Sequence, residues 1–317
     1  MNKYSLVLLL ILGSLLTFTS CRNDKMDPNS IFVDPKYEGG DPNSYSYLLD
    51  RWTFDNYVKP YNLRFLYRME DVGTDMTYNL IPTSYPKAID MAVLVKYLWV
   101  DVYAKVVGEN LLKQYGPRII HLIGSSEYNP ANGTEVLGVA EGGLKITLTK
   151  CNQLDISNLE FANEQYFKTM HHEFAHILHQ TKPYPPDFRL FSPAFYEPFN
   201  WQERTDQEAR SLGFVSPYAG AAVQEDFVEV IANYIVKTKA QWDKILQDAS
   251  VPSPDAAGVD GKAMILAKLD MCKTWLTDKW GINIDSLHEE VQRRQSNIPM
   301  DSLRKQLTAD YPDINIH

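Results

Sequence analysis

Cysteine is scarce, with three residues in 317: Cys21, Cys151 and Cys272. Cys21 stands alone near the N-terminus, so at most one bridge can form between the other two. A disulfide-built scaffold is excluded, while one bridge or two buried free thiols fit equally well. Long basic blocks are also missing. The 31 Lys and Arg and 40 Asp and Glu are mixed along the chain for a net charge of −9, which argues against nucleic acid or an anionic membrane surface as partner. Past the N-terminus no apolar run is long enough to span a bilayer, and neither an internal repeat nor a low-complexity tract is found. What is left is a globular chain long enough for one large domain with a deep core or for two modest ones.

The N-terminus breaks this pattern. Lys3 precedes a nearly unbroken apolar run from Leu6 to Phe18, too short for a comfortable membrane span, and residues 1–20 read as an export signal. Small residues Thr19 and Ser20 lead into Cys21, and the chain then turns polar at Arg22-Asn23-Asp24-Lys25. This resembles the cleavage box of bacterial lipoproteins, which implies a lipid on Cys21 and attachment to a membrane through it. An ordinary signal peptide with an incidental cysteine is the other reading, and both take the protein out of the cytoplasm. Residues 21–44, rich in Asp, Asn, Pro and Gly, read as a poorly ordered tether. The folded domain is then 45–317, with a helical C-terminal subdomain from about residue 240.

Ile89, Val93, Val95, Leu98, Trp99, Val102 and Val106 recur at helical spacing and predict one helix from Ala88 to Tyr115. Pro117 to Gly124 and Val136 to Thr149 have strand character and flank turn residues Asn129 to Gly133, so they read as a hairpin-like part of a sheet. Further helices are predicted over Asn163 to Gln180, Val223 to Lys237, Lys262 to Lys279 and Ser286 to Arg294. The last would start with a Ser286/Glu289 capping box. The Pro-rich loop from Pro183 to Pro198 carries no pattern that assigns it to specificity.

Four of the seven histidines fall within nine residues, in Met170-His171-His172-Glu173-Phe174-Ala175-His176-Ile177-Leu178-His179. On a helix His172 and His176 lie on one face a turn apart, so both imidazoles can reach a single Zn²⁺ at about 2.0–2.1 Å. Glu173 sits beside them, placed to act as general base on a zinc-activated water and then as acid toward the leaving amine. Uncharged Phe174, Ala175, Ile177 and Leu178 let the helix pack in a core while its histidines face a cleft. His179 lies about 10.5 Å along the axis from His172, too far to share the metal on an unbroken helix, and its role is support or solvent contact.

A catalytic zinc takes a third protein ligand. Gln224-Glu225-Asp226-Phe227-Val228-Glu229 puts Glu225 and Glu229 on one helix face, where one can bind zinc and the other orient a ligand histidine. Glu203 and Glu208 are further candidates. Tyr218 reads either as a packed aromatic or as a hydroxyl donor. Gly142 to Thr147 could form the edge strand along which an extended peptide aligns.

A histidine helix followed by a carboxylate helix resembles the gluzincin peptidases. More closely, His172-Glu173-Phe174-Ala175-His176, Glu225-Asp226-Phe227-Val228-Glu229 and Tyr218 look like the catalytic segments of the anthrax lethal factor type. That resemblance implies Glu225 as third ligand, Glu229 as the group orienting a ligand and Tyr218 as oxyanion donor. With the signal and lipid cysteine, the chain resembles a family of Bacteroidetes lipoproteins described as "putative zinc-binding metallopeptidases" or substrate-import-associated zinc metallohydrolases. The likeness is loose over most of the chain and specific around residues 170 to 235. It implies a place on the outer membrane beside nutrient-uptake receptors and names no substrate. The expectation is a zincin-like α+β fold with a small mixed sheet, an active-site helix and a mainly helical C-terminal part, acting on a peptide or protein. A non-catalytic zinc lipoprotein that captures peptides, or a zinc amidase acting on another amide, are the rival functions.

Overall fold

Short strands alternate with long helices in the computed structural model, which describes residues 37, 39–69, 80–128, 138–141, 144–253 and 257–309. The export signal, Cys21, most of the tether and the turn Asn129 to Gly133 lie outside the described residues. Within Tyr37–His317, one compact unit, Tyr37 already packs its ring against Tyr47 and Phe54, each at 5.5 Å.

Helix α1 runs through Tyr47–Thr53, a wide π-type turn at Phe54–Val58, and Lys59–Tyr61. Strand β1 (Arg64–Leu66) follows. Helix α2 covers Tyr85–Val95, a second wide turn at Lys96–Val100, and Asp101–Val106. The single helix predicted to Tyr115 ends here. Gly108 takes φ +108°, a conformation that side-chain-bearing residues avoid, and a separate helix α3 (Glu109–Tyr115) starts beyond it.

Strands β2 (Ile119–Leu122), β3 (Gly138–Glu141) and β4 (Lys145–Leu148) join β1 in one mixed sheet of order β1-β2-β4-β3. The first three in that order are parallel, with Phe65 opposite Ile120 and Ile120 opposite Ile146. Among the described strands only β3 runs antiparallel, with Ala140 opposite Ile146. The expected hairpin therefore lies within Val136 to Thr149, between β3 and β4. Ile120, Leu122, Ile146 and Leu148 are fully buried, as suits central parallel strands covered on both faces. The pairing also corrects the edge-strand expectation, because β4 is interior and β3 forms the edge on that side.

Helix α4 begins at Leu159–Ala162, where the side chain of Asn158 accepts from the Phe161 amide at 3.0 Å. It widens over Asn163–Phe167 and continues as regular helix over Lys168–Thr181. Then come α5 (Asp206–Ser211), α6 (Val223–Val236), α7 (Lys239–Ala249), α8 (Gly261–Trp280), α9 (Ile284–Gln295) and α10 (Met300–Ala309). The predicted Ser286/Glu289 cap is displaced, since α9 starts two residues earlier with Asn283 accepting from the Ser286 amide at 2.9 Å. Cys151 and Cys272 are both free and buried. Among the described residues no helix is long and apolar enough to cross a membrane. The fold is α+β and mostly helical, with the small mixed sheet packed against α4.

Candidate metal centre

Helices α4 and α6 pack on each other more extensively than any other pair of elements, and the candidate residues project from their contact. Thr169 to Ala175 are buried without a break, so the histidine segment is a core helix. A half-buried His176 marks where it meets the cleft. The wide turn of α4 is secured by a reciprocal amide pair, Asn163 with Gln295 of α9, at 3.1 and 2.6 Å.

Nε2 of His172, Nε2 of His176 and Oε2 of Glu225 form a triangle whose three sides are each 3.2 Å. For a tetrahedral ion bound at about 2.0 Å, any two ligand atoms stand about 3.3 Å apart. The three atoms are thus spaced as one face of such a coordination sphere. Glu173, also buried, offers a carboxylate oxygen within 4.8 Å of the two histidine nitrogens. Glu225 lies closer and touches both rings, so of the two carboxylates it fits the third ligand position better. Two imidazoles and a carboxylate make a donor set suited to zinc.

Each histidine has its own support. His172 Nδ1 lies 2.9 Å from Oε1 of Glu229, which is 2 % exposed. The other oxygen of Glu229 accepts from Ser216 Oγ at 2.6 Å and Asn233 Nδ2 at 3.1 Å, with Lys168 Nζ at 3.8 Å. His176 Nδ1 faces His179 Nε2 at 2.9 Å, and the His179 ring packs edge-on against Tyr184 at 5.3 Å.

Charge follows from these contacts. Burial works against a proton on His172, but its hydrogen bonds to Glu225 and Glu229 prevail and raise its pKa to about 10 in the metal-free chain. Burial likewise pushes Glu225 and Glu229 up, and is overcome. The two histidines hold Glu225, and Lys168 with His172 holds Glu229, below the ordinary carboxylate range. His179 is driven down to about 4 by burial, with the neighbouring His176 acting in the same direction, and stays neutral. Neutral His179 can accept at Nε2 the proton on His176 Nδ1.

Tyr218 opens a short 3₁₀ turn, Tyr218–Gly220, with its ring 5.8 Å from that of His172 and tilted by 30°. Although 37 % of the residue is exposed, its hydroxyl end is buried near Glu225. Burial and the charge of that carboxylate raise its pKa, so the hydroxyl keeps its proton. Of the remaining candidates, Glu208 caps α5 through Thr205 N and Oγ1 at 2.7 and 2.8 Å, and Glu203 is exposed. The structure therefore brings His172, Glu173, His176, His179, Tyr218, Glu225 and Glu229 into one constellation.

Residues 43–285 match the model of a family described as "putative zinc-binding metallo-peptidase". The chain belongs to that family. Among solved structures, the crystal structure of a putative zinc-binding metallo-peptidase from Bacteroides caccae matches with 39 % identity and a TM-score of 0.68, covering 81 % of this chain and 96 % of that one. No curated protein matches.

Sequence reasoning about this family member missed the parts that hold the constellation together. Lys168 and Ser216 support Glu229, and no motif marks either. The Pro-rich loop is fastened to α6 by rings: Tyr184 stacks on Phe227 at 4.4 Å and Phe188 meets it edge-on at 5.0 Å, while Trp275 of α8 meets the same ring edge-on at 5.1 Å. Its density of aromatics was the available signal, because rings buried next to a motif helix usually pack on it.

Proposed function

We propose that the chain is a zinc-dependent peptidase in which His172, His176 and Glu225 hold the metal. The observation that carries this reading is the 3.2 Å triangle of their ligand atoms, spaced for one tetrahedral ion. Zinc bound there would polarise a substrate carbonyl and lower the pKa of a water molecule. The protein's own groups do the rest. Glu173, buried beside the ligands, takes a proton from the attacking water and returns it to the leaving amine. Tyr218, which keeps its proton, donates to the oxyanion that develops on the carbonyl. Glu229 fixes the ring of His172 and His179 that of His176, setting which nitrogen of each faces the metal. The substrate is a peptide or protein.

We further propose an envelope location. The Cys21 box supports a lipid anchor, and the likeness to import-associated lipoproteins supports an outer-membrane site beside nutrient-uptake receptors. The test is hydrolysis of a diverse peptide library by the chain lacking residues 1 to 21 and by its Glu173→Gln variant, with bound zinc quantified in both. We expect cleavage by the parent and a loss of at least about 10²-fold in a variant that still holds one zinc. Zinc in both with cleavage by neither would replace the peptidase with a peptide-capturing protein.

A further inference from the structure

Helix α6 presents a problem of orientation. Asp226 to Asn233 are buried without interruption, more than two full turns, so α6 is surrounded by protein on every side. An amphipathic surface helix is rotated into place because its apolar stripe faces the core and its polar face the water, but a helix buried on every side, with Asp226, Glu229 and Asn233 among its buried residues, has no solvent side to set its rotation. Yet Glu225 must point at His172 and His176 to within a few tenths of an ångström. Something polar has to set the angle.

One pin is Glu229, already described. A second lies about 100° round the helix from Glu225, at Asp226, which with Lys268 of α8 forms an ion pair at 2.6 Å with both side chains fully buried. Lys268 Nζ also donates to the Gly213 carbonyl at 2.7 Å and lies 4.4 Å from the centre of the Phe214 ring. Gly213 adopts φ +86°, and a Cβ there would come within 2.8 Å of Met264, so glycine lets the chain bring this carbonyl to the lysine. On the far side, the Tyr196 hydroxyl of the Pro-rich loop donates to Asp226 Oδ2 at 2.8 Å. The pair thus joins three segments of the proposed site: α6 with Glu225, the stretch leading to Ser216 and Tyr218, and the loop before Trp201.

Its energetics do not explain its presence as a stabiliser. Two charges fully out of water rarely outperform apolar residues of the same volume, and Asp226 Oδ1 has no hydrogen-bond partner among the described residues, a further penalty. A buried pair that adds little stability is best accounted for by the geometry it fixes.

We propose that Asp226 and Lys268, with Tyr196, are positioning residues that set the rotation of α6 and hold Glu225 at the metal. This rests on the zinc reading above. The test is the full chain carrying Asp226→Leu with Lys268→Met, read by melting temperature, zinc affinity against a competing chelator, and the visible spectrum of the Co²⁺-loaded protein. We expect a melting temperature at or above the parent's, zinc binding weakened about 10- to 100-fold, and a changed cobalt spectrum reporting altered ligand geometry. A folded double variant with parental zinc affinity and cobalt spectrum overturns the inference. Should that variant not fold, Tyr196→Phe decides: removing one hydrogen bond from the pin is expected to weaken zinc roughly two- to tenfold, and unchanged affinity overturns the inference. A parent chain that binds no zinc overturns the metal reading and this inference together.

Discussion

His172 and His176 stand one turn apart on the same helix face, yet they are held in opposite ways. The inner ring rests on a buried carboxylate tied to Ser216, Asn233 and Lys168. The outer ring rests on a neutral imidazole packed against Tyr184. Charge fixes one and aromatic packing fixes the other. The inner support therefore contributes to the fold itself, since removing a buried carboxylate strands its partners, whereas the outer support chiefly orients a ring near the cleft.

The strongest way to break this contrast is Glu229→Leu. It removes the fully buried carboxylate that Lys168 and His172 share, although each keeps a second one, Glu164 at 3.0 Å and Glu225 at 3.2 Å, and strands the Ser216 and Asn233 donors. Unfolding free energy in denaturant is therefore expected to fall by about 1–3 kcal/mol, with zinc bound about 10- to 100-fold more weakly. A variant as stable as the parent would show that the inner support is no more structural than the outer.

The pH dependence of the metal-free chain sharpens the contrast next. His172, raised from 6.5 to about 10, contributes stability that is full below pH 6.5 and is lost as the pH climbs toward about 10. Glu225 and Glu229, held low, contribute above the ordinary carboxylate pKa of 4.5 and lose their contribution in acid. His179, lowered to about 4, opposes folding as the pH falls from 6.5 toward that value. Urea midpoints of the zinc-free protein should therefore decline on both sides of neutrality. Zinc, which competes with the His172 proton, should lift the alkaline side most. A flat profile from pH 6.5 to 10 would contradict the charged inner ring.

Smaller effects belong to the outer half. His179→Ala is expected to weaken zinc about tenfold, with a change in melting temperature well below that of Glu229→Leu. Trp201 meets the Tyr218 ring edge-on at 5.0 Å. Trp201→Ala removes an aromatic pair of about 0.5–1.5 kcal/mol, and kcat/KM for a cleaved peptide should fall by no more than about tenfold.

How much of this could be read in the sequence depended on the range of each interaction. The His172/His176 pair was legible because a four-residue spacing on a helix fixes a shared face, and α6 was legible from the apolar spacing of Phe227, Val228, Ile231 and Ile235. By local pattern Glu225 was one of four carboxylates and only the family resemblance singled it out, because a contact across 49 residues leaves no local trace. A small mixed sheet was expected and found, but its pairing was misread for the same reason, with parallel pairing of β2 and β4 joining segments that local pattern can only suggest as a hairpin. Other omissions were avoidable. Thr205 with Glu208 and Thr238 with Gln241 form complete capping boxes at the starts of α5 and α7, a signature written in four consecutive residues.

The wide turn at Asn163–Phe167 bears on how such a chain can change over generations. A turn of this kind holds one residue more than regular helix requires, and each residue advances the helix by about 100°. Deleting a single residue there could restore regular hydrogen bonding, but it would swing His172 and His176 away from Glu225 relative to everything anchored upstream through Asn163 and Gln295. Substitutions at its less buried positions, Leu159, Glu160, Phe161 and Glu164, can accumulate while the backbone count stays frozen. Descendants of this sequence should differ at those positions and hardly ever in the length of the stretch that ends at His172.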